Sequence, residues 1–214
     1  MLNTNKNNIL TELFTNNNAW RNKITDKDPD FFLGLSRLQS PEYLWIGCSD
    51  SRVPANDIVG LKPGELFVHR NIANMVNSSD MNCLTVLKYS IEVLRVKHII
   101  VTGHYGCGGI KAALEGSNSD IIDNWLSPIN KCYKHHKQDL DQLDAEARID
   151  KLCELNVMEQ VYNVCQIQAV KNAWKDNRSL TVHGWIYGLK DGKLHDLGVT
   201  INCLEQADEL FDLK

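Results

Sequence analysis

With 214 residues, 43% of them hydrophobic, the chain is long enough to bury one continuous core without help from disulfide bonds. Its acidic and basic residues are interspersed and give a net charge of -4, which excludes the basic block that nucleic acids and anionic membranes require. Seven cysteines without a compact spacing predict free thiols or metal ligands in a reducing compartment.

The first eight residues are polar and lack the apolar core of a signal peptide. No later stretch is apolar for long enough to cross a bilayer. We therefore expect a cytoplasmic protein that has neither a nucleic acid nor a membrane as a partner.

Two helices are predicted ahead of the first strand. The first has one apolar face, formed by Ile9, Leu13, Phe14 and Trp20. The second begins with Pro29 at its first position, and its predicted buried side consists of Phe31, Phe32 and Leu35. We interpret residues 1–214 as a single domain in which residues 1–40 form an N-terminal helical arm.

From residue 43 onward, strands alternate with helices. Apolar runs predict strands at 43–47, 66–69, 98–102, 180–187 and 194–199, the last two joined by a turn at Asp191-Gly192. Helical spacing predicts helices at 81–96, at 110–114 and through Val157 as far as Trp174. Residues 117–150 have weak periodicity and a break at Ser127-Pro128, so no element is assigned there.

This order of elements predicts an α/β fold with a mostly parallel central sheet, flanking helices and an antiparallel edge strand. In such folds, the residues that follow parallel strands meet at one edge of the sheet. Cys48 and Asp50 follow one strand, and His104 and Cys107 follow another. We therefore expect these four side chains to lie together.

Two sulfurs, one imidazole nitrogen and one carboxylate oxygen favour one Zn²⁺ per chain, since calcium and magnesium prefer more oxygen ligands. The alternative is that both thiols are ordinary core residues and the histidine belongs to a turn. The glycines at 103–109 match neither phosphate-binding pattern, and the chain contains no Cys-x-x-Cys pair.

Arg52 lies two residues beyond Asp50 and can hold its carboxylate in a bidentate pair. If Asp50 binds zinc, the site is closed and structural; if Arg52 holds Asp50, a water can bind the metal and become acidic. The residues themselves thus predict a zinc site with a carboxylate gate. The alternative is a surface ion pair of little consequence.

Cys-Ser-Asp-Ser-Arg at 48–52 and Gly-His-Tyr-Gly-Cys-Gly-Gly at 103–109 resemble the signatures of the β-class carbonic anhydrases. The segments 65–74, 153–157 and 183–185 resemble bacterial members. The resemblance implies reversible hydration of carbon dioxide to bicarbonate and a proton by zinc-bound hydroxide. It also implies homodimers that pair into tetramers, with the arm packing on a partner subunit.

Carried over by position, Cys48, His104 and Cys107 are permanent zinc ligands. Asp50 is the fourth ligand only in an inactive form, and it pairs with Arg52 in the active form. The resemblance further implies a substrate cleft near the metal, to which it assigns Gln39 from across a dimer interface, Val53, Phe67, Tyr89, Gly108 and Gly109.

The match to a bacterial, bicarbonate-regulated subtype rests on Trp45, Arg70 and Tyr187. In that subtype, such residues hold bicarbonate at a non-catalytic pocket and stabilise the closed form. The alternative is that the two aromatic residues belong to the core and Arg70 is a structural partner. Asn56 is neutral where the resemblance leads us to expect an acid.

Two other functions remain open at this point. One is a non-catalytic regulatory module stabilised by a closed four-ligand zinc site. The other keeps the fold and changes the substrate, because relatives of the family hydrolyse carbon disulfide or carbonyl sulfide.

Overall fold

A computed structural model of the chain describes residues 10–211. The chain divides into two compact units, one up to Gln39 and one from Ser40 onward. In the described residues, no helix combines the length and apolar character needed to cross a bilayer.

The N-terminal unit contains two helices, α1 (Thr11–Thr25) and α2 (Phe31–Arg37). The rings of Trp20 and Phe32 pack edge to face with centroids 5.5 Å apart. Neither helix has a buried residue, and the side chains of Leu13 and Phe14 are 61% and 64% exposed. The apolar face predicted for the first helix is therefore uncovered. Ile9 lies outside the described residues.

The prediction for the second helix was wrong in two respects. Its first residue is Phe31 instead of Pro29, because residues 28–30 form a turn in which the Asp30 N–H donates to the Asp28 side chain. Its expected buried residues are only half-buried.

The second unit is built on one sheet of five strands in the order β2-β1-β3-β4-β5. The strands are β1 (Tyr43–Cys48), β2 (Leu66–Asn71), β3 (His98–His104), β4 (Thr181–Tyr187) and β5 (Leu194–Ile201). The first four are parallel, and β5 pairs with β4 in the antiparallel direction. The predicted α/β fold with an antiparallel edge strand is confirmed.

The helices of this unit are α3 (Ala55–Val59), α4 (Met81–Lys88), α5 (Gly108–Glu115), α6 (Asp120–His135), α7 (Lys137–Leu140), α8 (Ala145–Gln166), α9 (Gln168–Lys175) and α10 (Leu204–Phe211). A 3₁₀ turn at Ile72–Asn74 follows β2, and a π turn at Tyr89–Val93 follows α4.

Two predicted helices and the predicted break at Ser127-Pro128 need correction. The helix expected at 81–96 passes into the π turn and stops before Arg95, which has a left-handed backbone. The helix expected to reach Trp174 is divided by an extended residue, Ile167. Pro128 lies inside α6, where burial of Leu126 and Ile129 offsets the missing backbone hydrogen bond.

The two faces of the sheet have separate cores. One face packs Leu44, Ile46 and Val101 against buried residues of α4, α8 and α9. The opposite face carries a smaller cluster that includes Trp45, Val53 and Ile100. β1 lies between β2 and β3 and is buried along its length except at Tyr43, as its continuous apolar run predicts.

Helix α8 approaches the sheet closely because two strand positions are glycine. A β-carbon on Gly103 would lie 2.6 Å from Cγ2 of Val157, and one on Gly184 would lie 3.1 Å from Cγ2 of Val161. Any side chain at Gly103 would push the helix away. The glycine therefore brings α8 directly behind the carboxyl end of β3.

Candidate metal centre

The ends of two adjacent strands bring the predicted ligands together. Cys48 is the last residue of β1, and His104 is the last residue of β3, its parallel neighbour. Cys107 follows three residues later, immediately before α5. The chain reverses between them at Gly106, whose φ of +63° suits a residue without a β-carbon.

The ligand atoms of Cys48, His104 and Cys107 all lie within 4.8 Å of one another, and all three residues are buried. The two sulfurs are 3.9 Å apart. The His104 Nδ1 lies 3.0 Å from the Tyr105 carbonyl oxygen, so the tautomer in which Nδ1–H donates leaves the Nε2 lone pair available.

This arrangement fits zinc. The Nε2 atom of His104 is buried and has no hydrogen-bond partner, an arrangement that is costly unless the atom binds a ligand. Two soft sulfurs and one imidazole nitrogen converge on the same space, the donor set that Zn²⁺ prefers.

The two thiols shift each other's pKa in opposite directions because they interact directly. A hydrogen bond from Cys107 lowers the pKa of Cys48, and the same contact, together with burial, raises the pKa of Cys107. The pair by itself thus accommodates one negative charge. A divalent cation supplies the positive charge that allows both sulfurs to ionise.

Asp50 lies beside this group and is bound by Arg52. The guanidinium donates to both carboxylate oxygens, from Nε at 2.9 Å and from a terminal nitrogen at 2.7 Å. These bonds hold the pKa of the Asp50 carboxyl well below its usual range. Its Oδ2 is 3.7 Å from His104 Nε2, next to the space where the three ligands converge.

A turn that sequence reasoning overlooked also contacts the site. The Ala73 N–H donates to Cys48 Sγ at 3.4 Å. Ala73 and Asn74 have φ values of +63° and +48°, a left-handed conformation that costs about 1 to 3 kcal/mol for each residue with a β-carbon. On the opposite side, a β-carbon on Gly109 would lie 3.0 Å from the Ile72 side chain, so this glycine makes room for the turn.

The proposed cleft residues are divided between different parts of the molecule. Val53 is buried in the cluster around Trp45, while Phe67 packs against the core on the other face of the sheet. Tyr89 is 44% exposed, and its ring lies 6.0 Å from that of Phe67. Gly108 faces open space, and Gln39 belongs to the N-terminal unit. Their assignment to a substrate cleft stays a prediction.

Two of the three residues assigned to a bicarbonate pocket share one apolar cluster. Trp45 is fully buried there and Tyr187 is half-buried. The indole N–H of Trp45 has no hydrogen-bond partner. Arg70 is fixed by backbone carbonyls, donating to that of Cys48 at 2.8 Å and to that of Asp50 at 2.5 Å.

A second group of metal-capable side chains consists of His69, Asp80 and Cys83. Asp80 caps α4 by accepting the Asn82 N–H, and a ring nitrogen of His69 lies 3.3 Å from the Asn71 amide. Burial raises the pKa of Cys83 to about 12. Because these groups already serve helix capping and core packing, we assign no metal to them.

Comparisons with known proteins agree with this geometry. A family model described as Carbonic anhydrase matches residues 43–194. A carbonic anhydrase of Emericella nidulans is 46% identical over 94% of this chain and 90% of its own length. A β-carbonic anhydrase structure from Coccomyxa, in complex with acetazolamide, superposes with a TM-score of 0.91 at 37% identity, covering 94% of this chain and 92% of the other.

A structure of tetrameric β-carbonic anhydrases from Sordaria macrospora superposes with a TM-score of 0.87 at 37% identity. It covers 91% of this chain and 99% of the other chain. The range of the family match spans β1 to β4 and contains the positions of Cys48, His104 and Cys107.

Replacing Cys107 with serine is expected to weaken zinc binding by more than about tenfold, because one of three buried ligands loses its thiolate. Zinc per chain would be measured after dialysis against a weak chelator. The matched control is Cys203→Ser, which changes a half-buried thiol outside the ligand group. Equal zinc content in the two variants would contradict the assignment of Cys107.

Proposed function

Because the chain belongs to the β-class carbonic anhydrase family, whose members are zinc enzymes, we propose that it hydrates carbon dioxide reversibly under the control of Asp50. Cys48, His104 and Cys107 hold the zinc. Asp50 leaves the fourth position open when it pairs with Arg52 and closes it when it binds the metal. The bidentate pair beside the three ligands is the observation that carries this proposal.

When bound here, Zn²⁺ supplies a water molecule that is acidic enough to act as a nucleophile near neutral pH. The protein supplies orientation. Asp50 stays ionised through its contacts with Arg52, so it can accept a hydrogen bond from a group at the metal's open position but cannot donate one to it. Both carboxylate oxygens are fixed by the guanidinium, which limits the directions from which they accept.

The lowered pKa of Asp50 has a consequence for the gate. A carboxylate whose folded pKa lies below its usual value remains charged from neutral pH down to strongly acidic pH. Protonation of Asp50 is therefore not the event that moves it. In this proposal the trigger is therefore a change in the surroundings of the Asp50–Arg52 pair.

We propose bicarbonate as the effector that causes this change, bound by Trp45, Arg70 and Tyr187. The unpartnered indole N–H of Trp45 supports this, because a buried donor without an acceptor is ready to bind an anion. Arg70 connects the pocket to the gate, since it binds the carbonyls of Cys48 and Asp50. An anion that draws the guanidinium away would release the backbone on which the gate moves.

Asp50 bound to Arg52 argues against the closed, non-catalytic module. Nothing in the described site favours carbon disulfide or carbonyl sulfide over carbon dioxide. Hydration assayed with each gas separates these substrates.

The uncovered apolar face of α1 supports a homo-oligomer in which the arm contacts a partner subunit. We propose a dimer that pairs into a tetramer, by analogy with the tetrameric relatives from Sordaria macrospora. Exposed leucine and phenylalanine side chains on one helix provide the apolar surface that such an interface needs.

Replacing Arg52 with alanine is expected to lower kcat/KM for carbon dioxide about 10- to 100-fold while zinc content stays unchanged, because the freed carboxylate moves onto the metal. Arg52→Lys, which keeps the charge but loses the planar fork, should fall between this variant and wild type. Stopped-flow hydration assays and metal analysis measure both quantities. Full activity in Arg52→Ala would refute the gate.

Replacing Tyr187 with phenylalanine is expected to raise the inhibition constant of bicarbonate about tenfold, because one hydrogen bond to a charged ligand is lost. Activity without added bicarbonate should remain. Tyr43→Phe is the matched control, a half-buried tyrosine of the same cluster. We choose Tyr187 over Arg70 because Arg70 also holds the backbone of Cys48. An unchanged inhibition constant would remove Tyr187 from the pocket.

Replacing both Leu13 and Phe14 with aspartate is expected to at least halve the molecular mass in solution, because two charges would have to be buried at the interface. Sedimentation velocity gives the mass. The control carries the same two charges at Asn16 and Asn17 of the same helix. If both double variants have the mass of the wild type, α1 does not contribute to the oligomer.

A further inference from the structure

Three amide side chains on one face of α8 form a chain of hydrogen bonds behind the metal centre. Asn156, Gln160 and Asn163 are spaced by four and three residues, so they follow one stripe of the helix. The Gln160 amide donates to the Asn156 side-chain oxygen at 3.0 Å, and the Asn163 amide donates to the Gln160 oxygen at 3.1 Å. We refer to these three residues as the amide triad.

The amide triad forms hydrogen bonds to the backbone of the strained segment that contacts Cys48. Asn156 donates to the Ala73 carbonyl at 3.0 Å. Gln160 accepts the Val76 N–H at 2.8 Å, and Asn163 donates to the Val76 carbonyl at 3.1 Å. Asn156 and Gln160 are 2% and 1% exposed, so water does not compete for these bonds.

Buried amide side chains are unusual on an apolar helix face, so their presence on α8 needs an explanation. The neighbouring stripe of α8 is made of valines that pack into the core, and valine or leucine at the triad positions would avoid the cost of burying amides. What the amides provide is a set of directed bonds to the backbone on either side of Asn74. Apolar packing cannot hold a left-handed alanine in this way.

We propose that the amide triad is a positioning device for the Cys48 thiolate. It holds Ala73 in the left-handed conformation, and this conformation directs the Ala73 N–H at Cys48 Sγ. The inference rests on the zinc centre at Cys48, His104 and Cys107. None of the three amides touches a ligand side chain, so they act through the turn.

The N–H to sulfur bond has a specific electronic effect. A donor that points at a thiolate stabilises the negative charge on sulfur and reduces the charge that the sulfur passes to a bound metal. Two thiolates together offset the full charge of a divalent cation, so a bond that withdraws charge from one of them preserves the metal's power to acidify a ligand.

The test uses the full chain loaded with Co²⁺, whose thiolate-to-metal charge-transfer band reports the electron density on sulfur. Asn156→Ala removes the bond to the Ala73 carbonyl. We expect the band to move to longer wavelength and metal release to a chelator to become about tenfold faster. Val161→Ala is the matched control, because it makes a cavity on the same helix and removes none of the hydrogen bonds to the turn.

A second change tests the conformational argument. Glycine adopts a positive φ without a steric penalty, so Ala73→Gly in the Asn156→Ala background should let the N–H return to the sulfur. We expect this double variant to recover part of the original band position. Asn163→Ala, at a half-buried position that bonds Val76 and Gln160 but not Ala73, should give a smaller shift in the same direction and provides a folded variant if Asn156→Ala does not fold.

Several results would overturn the proposal. One is an unchanged band in the Asn156 and Asn163 variants with cobalt bound. Another is an equal shift in Val161→Ala, which would indicate general loosening of α8. Carbon dioxide hydration is not part of this readout. If the variants showed the expected band shifts but the wild-type chain showed no hydration, the proposed function would be contradicted and the role of the amide triad would stand.

Discussion

The rest of the structure depends on two buried sulfur atoms that lie 3.9 Å apart. Two thiolates at that distance repel each other strongly in a region from which water is excluded, so they cannot both ionise without a nearby cation. Parallel pairing of β1 with β3 places one sulfur and the imidazole at neighbouring strand ends. The turn at Gly106 then returns the second sulfur to them. The fold thereby concentrates three buried donors of the kind that bind zinc.

Holding these donors in place requires a strained turn, and hydrogen bonds from α8 offset that strain. The turn beside Cys48 contains two left-handed residues with β-carbons, and about 1 to 3 kcal/mol of strain for each is a sizeable share of the stability of one domain. The helix can offset it because Gly103 lets it lie close behind β3. One missing β-carbon therefore decides whether the amides of α8 reach the turn. The packing of α8 and the geometry of the metal site therefore depend on the same close approach at Gly103.

The zinc ligands and the sheet could be predicted from sequence because both follow from local patterns. Apolar runs predict strands, and the residues just beyond them meet at one edge. Neither the conformation of Ala73 nor the contact of Asn156 was predicted, for two different reasons. Alanine carries no signal for a left-handed backbone, and the bond between these residues joins positions 83 apart in the chain. The stripe of Asn156, Gln160 and Asn163 beside the valines of α8 was a readable signal, since amides are rare on a buried helix face.

The contacts of Arg70 could not be foreseen from its residue type. Asn56, which is neutral where the resemblance leads us to expect an acid, donates to the Leu61 carbonyl, and Arg70 binds the carbonyls of Cys48 and Asp50. The guanidinium thus fixes the segment that contains both Cys48 and Asp50. The amide triad fixes the other side of Cys48 through Ala73. Cys48 is therefore held by two contacts. An anion at the surface can disturb the contact from Arg70, but it cannot reach the contact from Ala73. In the proposed gate, displacement of Arg70 would free the Asp50 backbone while the Cys48 sulfur stays held through Ala73.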